Sequence, residues 1–329
     1  MTNTAREVLQ RWEIRKSKKQ KEDFRGWLCQ QLREAGYAPQ VEKSRGLWES
    51  NNVVVGDPDK AKTLLTAHYD TCAVLPFPNF ITPRSLFWYL VYQILIVVVF
   101  FALVFVVTFL AILGGELLLG NVDAAVVVGM VLGYAALIFG IWWMLDGKAN
   151  RHTANDNTSG VMTLLETALA LPQELRDEVC FVWFDNEERG LLGSGAFAKG
   201  HKAAKSSALV INFDCVSEGD SIQFFPGKKV KKTEAIAALR EAYVGTAEKT
   251  VEVVEGFGFY PSDQAAFTYG VGVCALKKSK LFGWYMDRIH TKRDTVLDEK
   301  NIDLLREGTV RLVQWLANKG RNPCIKKFS

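Results

Sequence analysis

Two long uncharged stretches stand out in the hydrophobic pattern of this 329-residue chain. Residues 85–115 and 124–145 contain no Asp, Glu, Lys or Arg. A helix that crosses a bilayer needs about 20 predominantly apolar residues, whereas a soluble core helix of this length normally carries charge on one face. We therefore predict a transmembrane hairpin over residues 85–145, with spans at about 86–113 and 124–145. A pair of buried core helices is the alternative interpretation.

The charges beside the hairpin predict its orientation. The short connection 114–123 contains no Lys or Arg, while Arg84 precedes the first span and Lys148 and Arg151 follow the second. Positively charged flanks favour the cytoplasmic side of a membrane. We therefore expect an integral membrane protein with two spans, whose large polar part and both termini lie in the cytoplasm.

Small residues in the second span offer a contact surface for another helix. Gly129 and Gly133 have the spacing that lets two helices approach closely in a bilayer. The contact would lie either within the hairpin or between subunits, so a homo-oligomer formed through the hairpin is one prediction. Two glycines spaced by chance are the alternative.

Short apolar runs alternate with helical patterns in the rest of the chain. The predicted strands are 52–55, 63–67, 179–184, 208–213, 221–225 and 271–275, and the predicted helices are a charged helix at about 4–34 within residues 1–36, then 159–171, 231–243 and 299–319. This alternation predicts one α/β domain, made of residues 1–84 and 146–329, with a twisted, largely parallel central sheet between helices. In such sheets, ligands bind beyond the carboxyl ends of the strands.

Composition limits the partners and the compartment. The formal net charge of +4 is small, and acidic and basic residues are interspersed, so nothing indicates a nucleic-acid partner. The cysteines include no Cys-x-x-Cys pair and several lie in apolar runs, which suits reduced thiols in the cytoplasm. They are Cys29, Cys72, Cys180, Cys215, Cys274 and Cys324.

Residues of the types that bind metals recur beside the predicted strands. Imidazole and carboxylate ligands together suit zinc or a similar divalent ion, and a carboxylate can bridge two ions. Each such residue alone is weak evidence, because acids and histidines at strand ends are usually solvated or hydrogen-bonded. Their repetition at successive strand ends favours a metal site. The candidates are His68 with Asp70 two positions later, Asp156, the pair Glu187 and Glu188, Asp214 and His290.

The local motifs around these residues resemble those of the co-catalytic dizinc exopeptidases, peptidase family twenty-eight. This family contains leucyl-type aminopeptidases, glutamate carboxypeptidases and, as a divergent branch, glutaminyl cyclases. One departure is Gln264, which stands where the family commonly has a histidine. The motifs are His68-x-Asp70, Asn155-Asp156-Asn157-x-Ser159-Gly160, Glu187-Glu188-x-Gly190-Leu191-Leu192-Gly193-Ser194, Asn212-x-Asp214, Ser262-Asp263 and His290-Thr291-x-x-Asp294-Thr295.

The resemblance implies a three-layer zinc-exopeptidase fold and a role for each matched residue. Glu187 matches the general base, and Asp70 matches the carboxylate that orients the first histidine. Two Zn²⁺ ions are implied, with Co²⁺ or Mn²⁺ as other divalent choices. One ion would have His68, Asp156 and Asp214 as ligands, and the other Asp156, Glu188 and His290, so that Asp156 bridges them.

The function predicted from these features is that of a membrane-anchored zinc aminopeptidase. Its substrates would be peptides, and its other partner the lipid bilayer. Within the enzyme class, a glutaminyl cyclase-like activity and a carboxypeptidase activity are the alternatives. A catalytically silent scaffold at a membrane is the alternative from a different class.

Overall fold

A computed structural model describes residues 1–44, 48–319 and Cys324, so residues 45–47, 320–323 and 325–329 of the predicted domain lie outside the described residues. The helices are α1 Asn3–Trp12, α2 Lys18–Glu34, α3 Leu86–Leu119, α4 Val122–Asp146, α5 Gly160–Ala170, α6 Leu192–Gly200, α7 Lys202–Ser207, α8 Ala235–Ala242 and α9 Glu299–Lys319. The strands are β1 Gln40–Ser44, β2 Ser50–Val55, β3 Thr63–His68, β4 Val179–Phe184, β5 Leu209–Phe213, β6 Ser221–Pro226, β7 Thr250–Val253, β8 Tyr269–Ser279 and β9 Gly283–Tyr285.

The strands form one mixed sheet in the order β1-β2-β4-β3-β5-β8-β6-β7, with β9 paired to β8. Its centre, from β4 through β3 and β5 to β8, is parallel. The pairs β1–β2, β2–β4, β6–β8 and β8–β9 are antiparallel. The expectation of a largely parallel sheet therefore holds for the centre and for the outer pair β6–β7, which is also parallel. Strands joined by short connections, such as β1–β2 and β8–β9, pair antiparallel because they need no crossover helix.

Helices cover both faces of the sheet. Successive side chains of a strand point to opposite faces, and Leu65 and Ile211 accordingly lie in one core cluster with residues of α5 and α9. Their neighbours Leu64 and Val210 lie in a second cluster with Phe197 of α6. These two apolar layers give the three-layer arrangement that the resemblance implies.

The N-terminal segment is two helices rather than the single helix predicted at 4–34. Ser17 begins α2 with a reciprocal capping box, in which its side chain and that of Gln20 bond each other's backbone amides. The break between the helices allows the guanidinium of Arg15 to enter the core, where it is fully buried. It donates hydrogen bonds to the carbonyl oxygens of Tyr69 and Trp12.

The two apolar helices α3 and α4 pack against each other and are long and apolar enough to cross a membrane. The most apolar 18-residue stretch of α3 has no buried residue, and that of α4 is 17% buried, unlike the helices of a protein core. Helix α3 continues beyond the predicted span to Leu119, because Gly120 in a left-handed conformation (φ 61°) is its C-cap.

Two glycines of α4, Gly129 and Gly133, contact α3 within the hairpin. A Cβ at Gly129 would lie 2.2 Å from Cγ1 of Ile112, and one at Gly133 would lie 2.1 Å from the hydroxyl of Thr108, both on α3. The small residues therefore let α3 and α4 approach closely. Assembly between subunits consequently draws no support from this motif.

The hairpin is fixed to the rest of the domain by the chain segments that enter and leave it. Ala73 and Ala149 form an antiparallel bridge between these segments. At the end of α4, Asp146 forms an ion pair with Arg189, and the ammonium of Lys16 donates a hydrogen bond to the carbonyl oxygen of Leu145. The hairpin thus emerges beside the carboxyl ends of the central strands.

Candidate metal centre

The candidate ligands meet because their strands are neighbours. β3 lies between β4 and β5 and is parallel to both, so the carboxyl ends of all three strands lie at one edge of the sheet. His68 ends β3, Glu187 and Glu188 follow β4, and Asp214 follows β5. Asp156 reaches the same place from the turn before α5, and His290 from the segment between β9 and α9.

The two histidines approach different oxygens of one carboxylate. Nε2 of His68 lies 3.5 Å from Oδ1 of Asp156 and 3.5 Å from Oδ1 of Asp214. Nε2 of His290 lies 3.1 Å from Oδ2 of Asp156 and 3.3 Å from Oε2 of Glu188. The five candidate ligands therefore form two groups that share Asp156.

These groups fit divalent cations. Most of the distances exceed those of good hydrogen bonds, and Oε1 of Glu188 is buried without a hydrogen-bond partner among the described residues. Isolated charges in a protein interior cost several kcal/mol each unless they are paired. The cluster contains more carboxylates than imidazoles, so bound cations would relieve the repulsion. Its carboxylates belong to Asp70, Asp156, Glu187, Glu188 and Asp214.

The contacts of Asp70 differ from those that the resemblance implies. Nδ1 of His68 lies 3.1 Å from the carbonyl oxygen of Asp70 and 3.6 Å from its carboxylate, so the carbonyl is the hydrogen-bond partner. With Nδ1 donating there, Nε2 is left free to bind a metal. The carboxylate instead accepts the backbone N–H groups of Glu187 at 3.0 Å and Glu188 at 3.2 Å. Asn186, with φ of 57°, turns the chain into this position.

Two further residues, to which the resemblance assigns no role, support the candidate ligands. The carboxylate of Asp294 accepts the backbone N–H groups of Asn155 and Asp156, at 2.7 and 3.0 Å. Beneath the site, burial lowers the pKa of Arg15 to about 10, although Asp70 and other acids nearby favour its charge. The sequence signal that could have revealed the position of Arg15 is Ser17-x-x-Gln20, which indicates a new helix start.

A cavity of about 150 Å³ opens onto the candidate ligands. Its apolar walls include Ile81, Tyr260 and Ile289. Among the described residues, Tyr260 is the aromatic residue that lines this cavity. Phe259 is 44% exposed, and the ring of Phe282 packs against other aromatic rings near α3.

Solved structures with a similar fold include two kinds of enzyme. Glutaminyl cyclase from Porphyromonas gingivalis is 18% identical, with 95% of this chain and 97% of that chain covered and a TM-score of 0.60. The LapA aminopeptidase from Legionella pneumophila is 15% identical (95% and 70% covered, TM-score 0.56). A Zn-dependent exopeptidase from Parabacteroides distasonis is 13% identical (94% and 97% covered, TM-score 0.57). At these identities the likeness shows the fold alone.

Comparison of the sequence itself identifies the family. A search of curated protein sequences gave no match. The family model described as peptidase family M28 matches residues 145–311, about half of the chain, including Asp156, Glu188 and His290. The family and the zinc exopeptidase fold imply zinc as the metal. The chain belongs to peptidase family M28.

Proposed function

We propose that this chain is a membrane-anchored dinuclear zinc aminopeptidase whose catalytic domain faces the cytoplasm. The observation that carries the proposal is the position of Asp156, which has one carboxylate oxygen toward His68 and the other toward His290. His68, Asp156 and Asp214 would hold one ion, and Asp156, Glu188 and His290 the other.

The chemistry requires a group that takes and returns a proton. Bound zinc would lower the pKa of a water molecule toward about 7 and polarise the scissile carbonyl. Glu187 lines the same cavity as the candidate ligands, and its backbone is held by Asp70. Burial raises the pKa of Glu187 well above its usual value, and the carboxylate of Glu188 adds to the effect while His68 opposes it. Such a carboxylate can take a proton from water and deliver it to the leaving amine.

The cavity suits the amino end of a peptide better than the carboxyl end. None of the described residues that line it is Lys or Arg. A carboxypeptidase needs a cation or a set of strong donors for the terminal carboxylate of its substrate. An α-ammonium group, in contrast, needs no cation in the lining of the cavity. The small volume supports an enzyme that encloses one terminal residue.

The membrane part of the proposal rests on α3 and α4 and on the basic residues beside them. Labelling of single cysteines introduced at Gly120 and at Lys148 would report the orientation in intact cells. Lys148→Cys should be protected from an impermeant reagent, and Gly120→Cys should react. The reverse pattern would contradict the cytoplasmic assignment. Assembly of several chains through the outer faces of the hairpin stays a prediction.

A substrate panel on detergent-purified protein tests the activity. The panel contains aminoacyl p-nitroanilides, N-acetylated dipeptides with a free carboxyl end, and peptides that begin with glutamine, each with zinc, cobalt or manganese. Metal-dependent release of p-nitroaniline, with no cleavage of the acetylated dipeptides, is the expected result. Cleavage of the acetylated dipeptides would instead indicate a carboxypeptidase, and ring closure of amino-terminal glutamine without hydrolysis a glutaminyl cyclase. No activity with any of the metals and substrates would favour the catalytically silent scaffold.

A further inference from the structure

A second, strongly basic pocket lies beside the metal centre. Its volume is about 250 Å³, and two carboxylates, those of Glu49 and Asp185, are among its lining groups. Five cationic side chains line it, which leaves an excess of positive charge. We call it the basic pocket; its cations are Lys16, Lys18, Lys21, Arg25 and Arg189.

Most of the positive charge in the basic pocket is not neutralised. Lys21 is paired with Asp185 at 2.6 Å, and Arg189 is paired at the end of α4. The remaining three cations, Lys16, Lys18 and Arg25, have no carboxylate at ion-pair distance among the described residues. Lys16 donates to a backbone carbonyl and Arg25 to the hydroxyl of Tyr69, neither of which carries a formal charge. Lys18 is exposed at the start of α2.

The basic pocket lies where the hairpin leaves the bilayer. Two of its cations contact the last residues of α4, since Lys16 bonds the carbonyl of Leu145 and Arg189 pairs with Asp146. The ring of Trp48, whose centroid is 5.8 Å from the guanidinium of Arg189, is 46% exposed beside them. Cations and tryptophan at this level are typical of residues that meet lipid headgroups.

We propose that the basic pocket binds a phosphate group, and that in the membrane this group is the headgroup phosphate of an anionic phospholipid. The lipid source rests on the membrane insertion proposed above, whereas recognition of the phosphate rests on the pocket alone. Phosphate oxygens accept several charge-assisted hydrogen bonds at once, which matches cations that converge on one cavity without carboxylate partners.

One wall of the basic pocket is formed by the turn 185–190, which also contains Glu187 and Glu188. Asp185 and Asn186, which line it, directly precede Glu187 and Glu188, and Arg189 directly follows them. Lys21 holds the side chains of both lining residues, at 2.6 and 2.7 Å. A headgroup bound here would therefore restrict the motion of the turn 185–190 and link the bilayer surface to the metal centre.

Lipid binding to the full chain in detergent tests the proposal by native mass spectrometry. Phosphatidylglycerol is titrated against phosphatidylcholine for the wild type, Lys18→Gln, the double variant Lys18→Gln/Arg25→Gln, and Lys228→Gln. Lys228 is an exposed lysine outside the basic pocket, so this last variant is a matched control for net charge. Because each cation near anionic lipid contributes about fivefold in affinity, Lys18→Gln should weaken phosphatidylglycerol binding about fivefold and the double variant more. Lys228→Gln should leave it unchanged.

Two further measurements complete the test. The first distinguishes free phosphate from a lipid headgroup, and the second reports the effect of the bound group on the turn 185–190. Inorganic phosphate is compared with chloride at equal ionic strength, by the melting temperature and by displacement of bound lipid. Amide exchange of residues 185–190 should slow with phosphatidylglycerol in the wild type but not in the double variant. Stabilisation by inorganic phosphate without a preference for phosphatidylglycerol would overturn the lipid source. Equal losses in Lys18→Gln and Lys228→Gln, or no response to either ligand, would overturn the site. None of these measurements uses a substrate, so they are independent of the proposed peptidase activity.

Discussion

The carboxylate of Asp70 accepts the backbone N–H of Glu187 at 3.0 Å. Its second oxygen accepts the next N–H, that of Glu188, at 3.2 Å. The carbonyl oxygen of the same residue lies 3.1 Å from Nδ1 of His68. One residue, two positions after the end of β3, therefore aligns a candidate ligand on its own strand and the turn with Glu187 and Glu188 after the neighbouring strand.

Replacing Asp70 tests this double role. In Asp70→Asn one carboxylate oxygen becomes an NH₂ group, which cannot accept an N–H, so one amide of the turn loses its partner. A buried donor without a partner costs about 1–3 kcal/mol, and groups that support metal ligands typically contribute about 10–100-fold in metal affinity or activity. Zinc titration and steady-state kinetics should show losses of this size.

The control for that variant is Asp177→Asn, which changes an exposed carboxylate with no ion-pair or hydrogen-bond partner among the described residues. It should bind zinc and turn over like the wild type. If Asp70→Asn also does so, the hydrogen bonds to the turn have no role in holding the metal centre.

Glu187→Gln separates metal binding from proton transfer. The variant keeps the size of the side chain and leaves the candidate ligands intact, so metal content should be unchanged. Turnover should fall by about 10²–10⁴-fold, the usual contribution of a general base. The measurement is kcat with a fixed metal content, and Glu174→Gln, at an exposed position, is the matched control. Full activity of Glu187→Gln would assign the general base elsewhere.

The packing of the hairpin predicts different effects for two glycines in the apolar helices. A Cβ at Gly129 would lie 2.2 Å from Ile112 on the facing helix, whereas a Cβ at Gly114 would have no atom of the described residues within 4 Å. Gly129→Ala should lower the melting temperature of the detergent-solubilised chain, because overpacking typically costs about 1–3 kcal/mol. Gly114→Ala should not lower it. Equal melting temperatures for the two variants would contradict the described contact between α3 and α4.

The sequence predicted the parts of the fold that depend on apolar runs. The six predicted strands are present, because strands buried on both faces appear as continuous apolar segments. The edge strands β1, β7 and β9 were not predicted, since they are short or largely polar. Helix α6 was not predicted either, because its sequence contains three glycines and looks like a loop.

The candidate site was predictable to a similar degree. Ligands at strand ends follow from local sequence and from the order of parallel strands. The burial of the Arg15 side chain depends on its contact with Tyr69, 54 positions away. The hydrogen bonds of Asp294 to the turn before α5 span a still larger separation. Such long-range contacts carry no periodic signal, so only the folded structure reveals them.

The zinc content per chain reports whether Asp156 bridges two ions. If the carboxylate of Asp156 serves two ions, wild-type protein loaded with zinc and freed of excess metal should contain two equivalents by elemental analysis. Asp156→Ala, with circular dichroism confirming that the domain is folded, should lose zinc from both groups because they share this residue. One equivalent in the wild type, or two retained in Asp156→Ala, would show that Asp156 does not bridge two zinc ions.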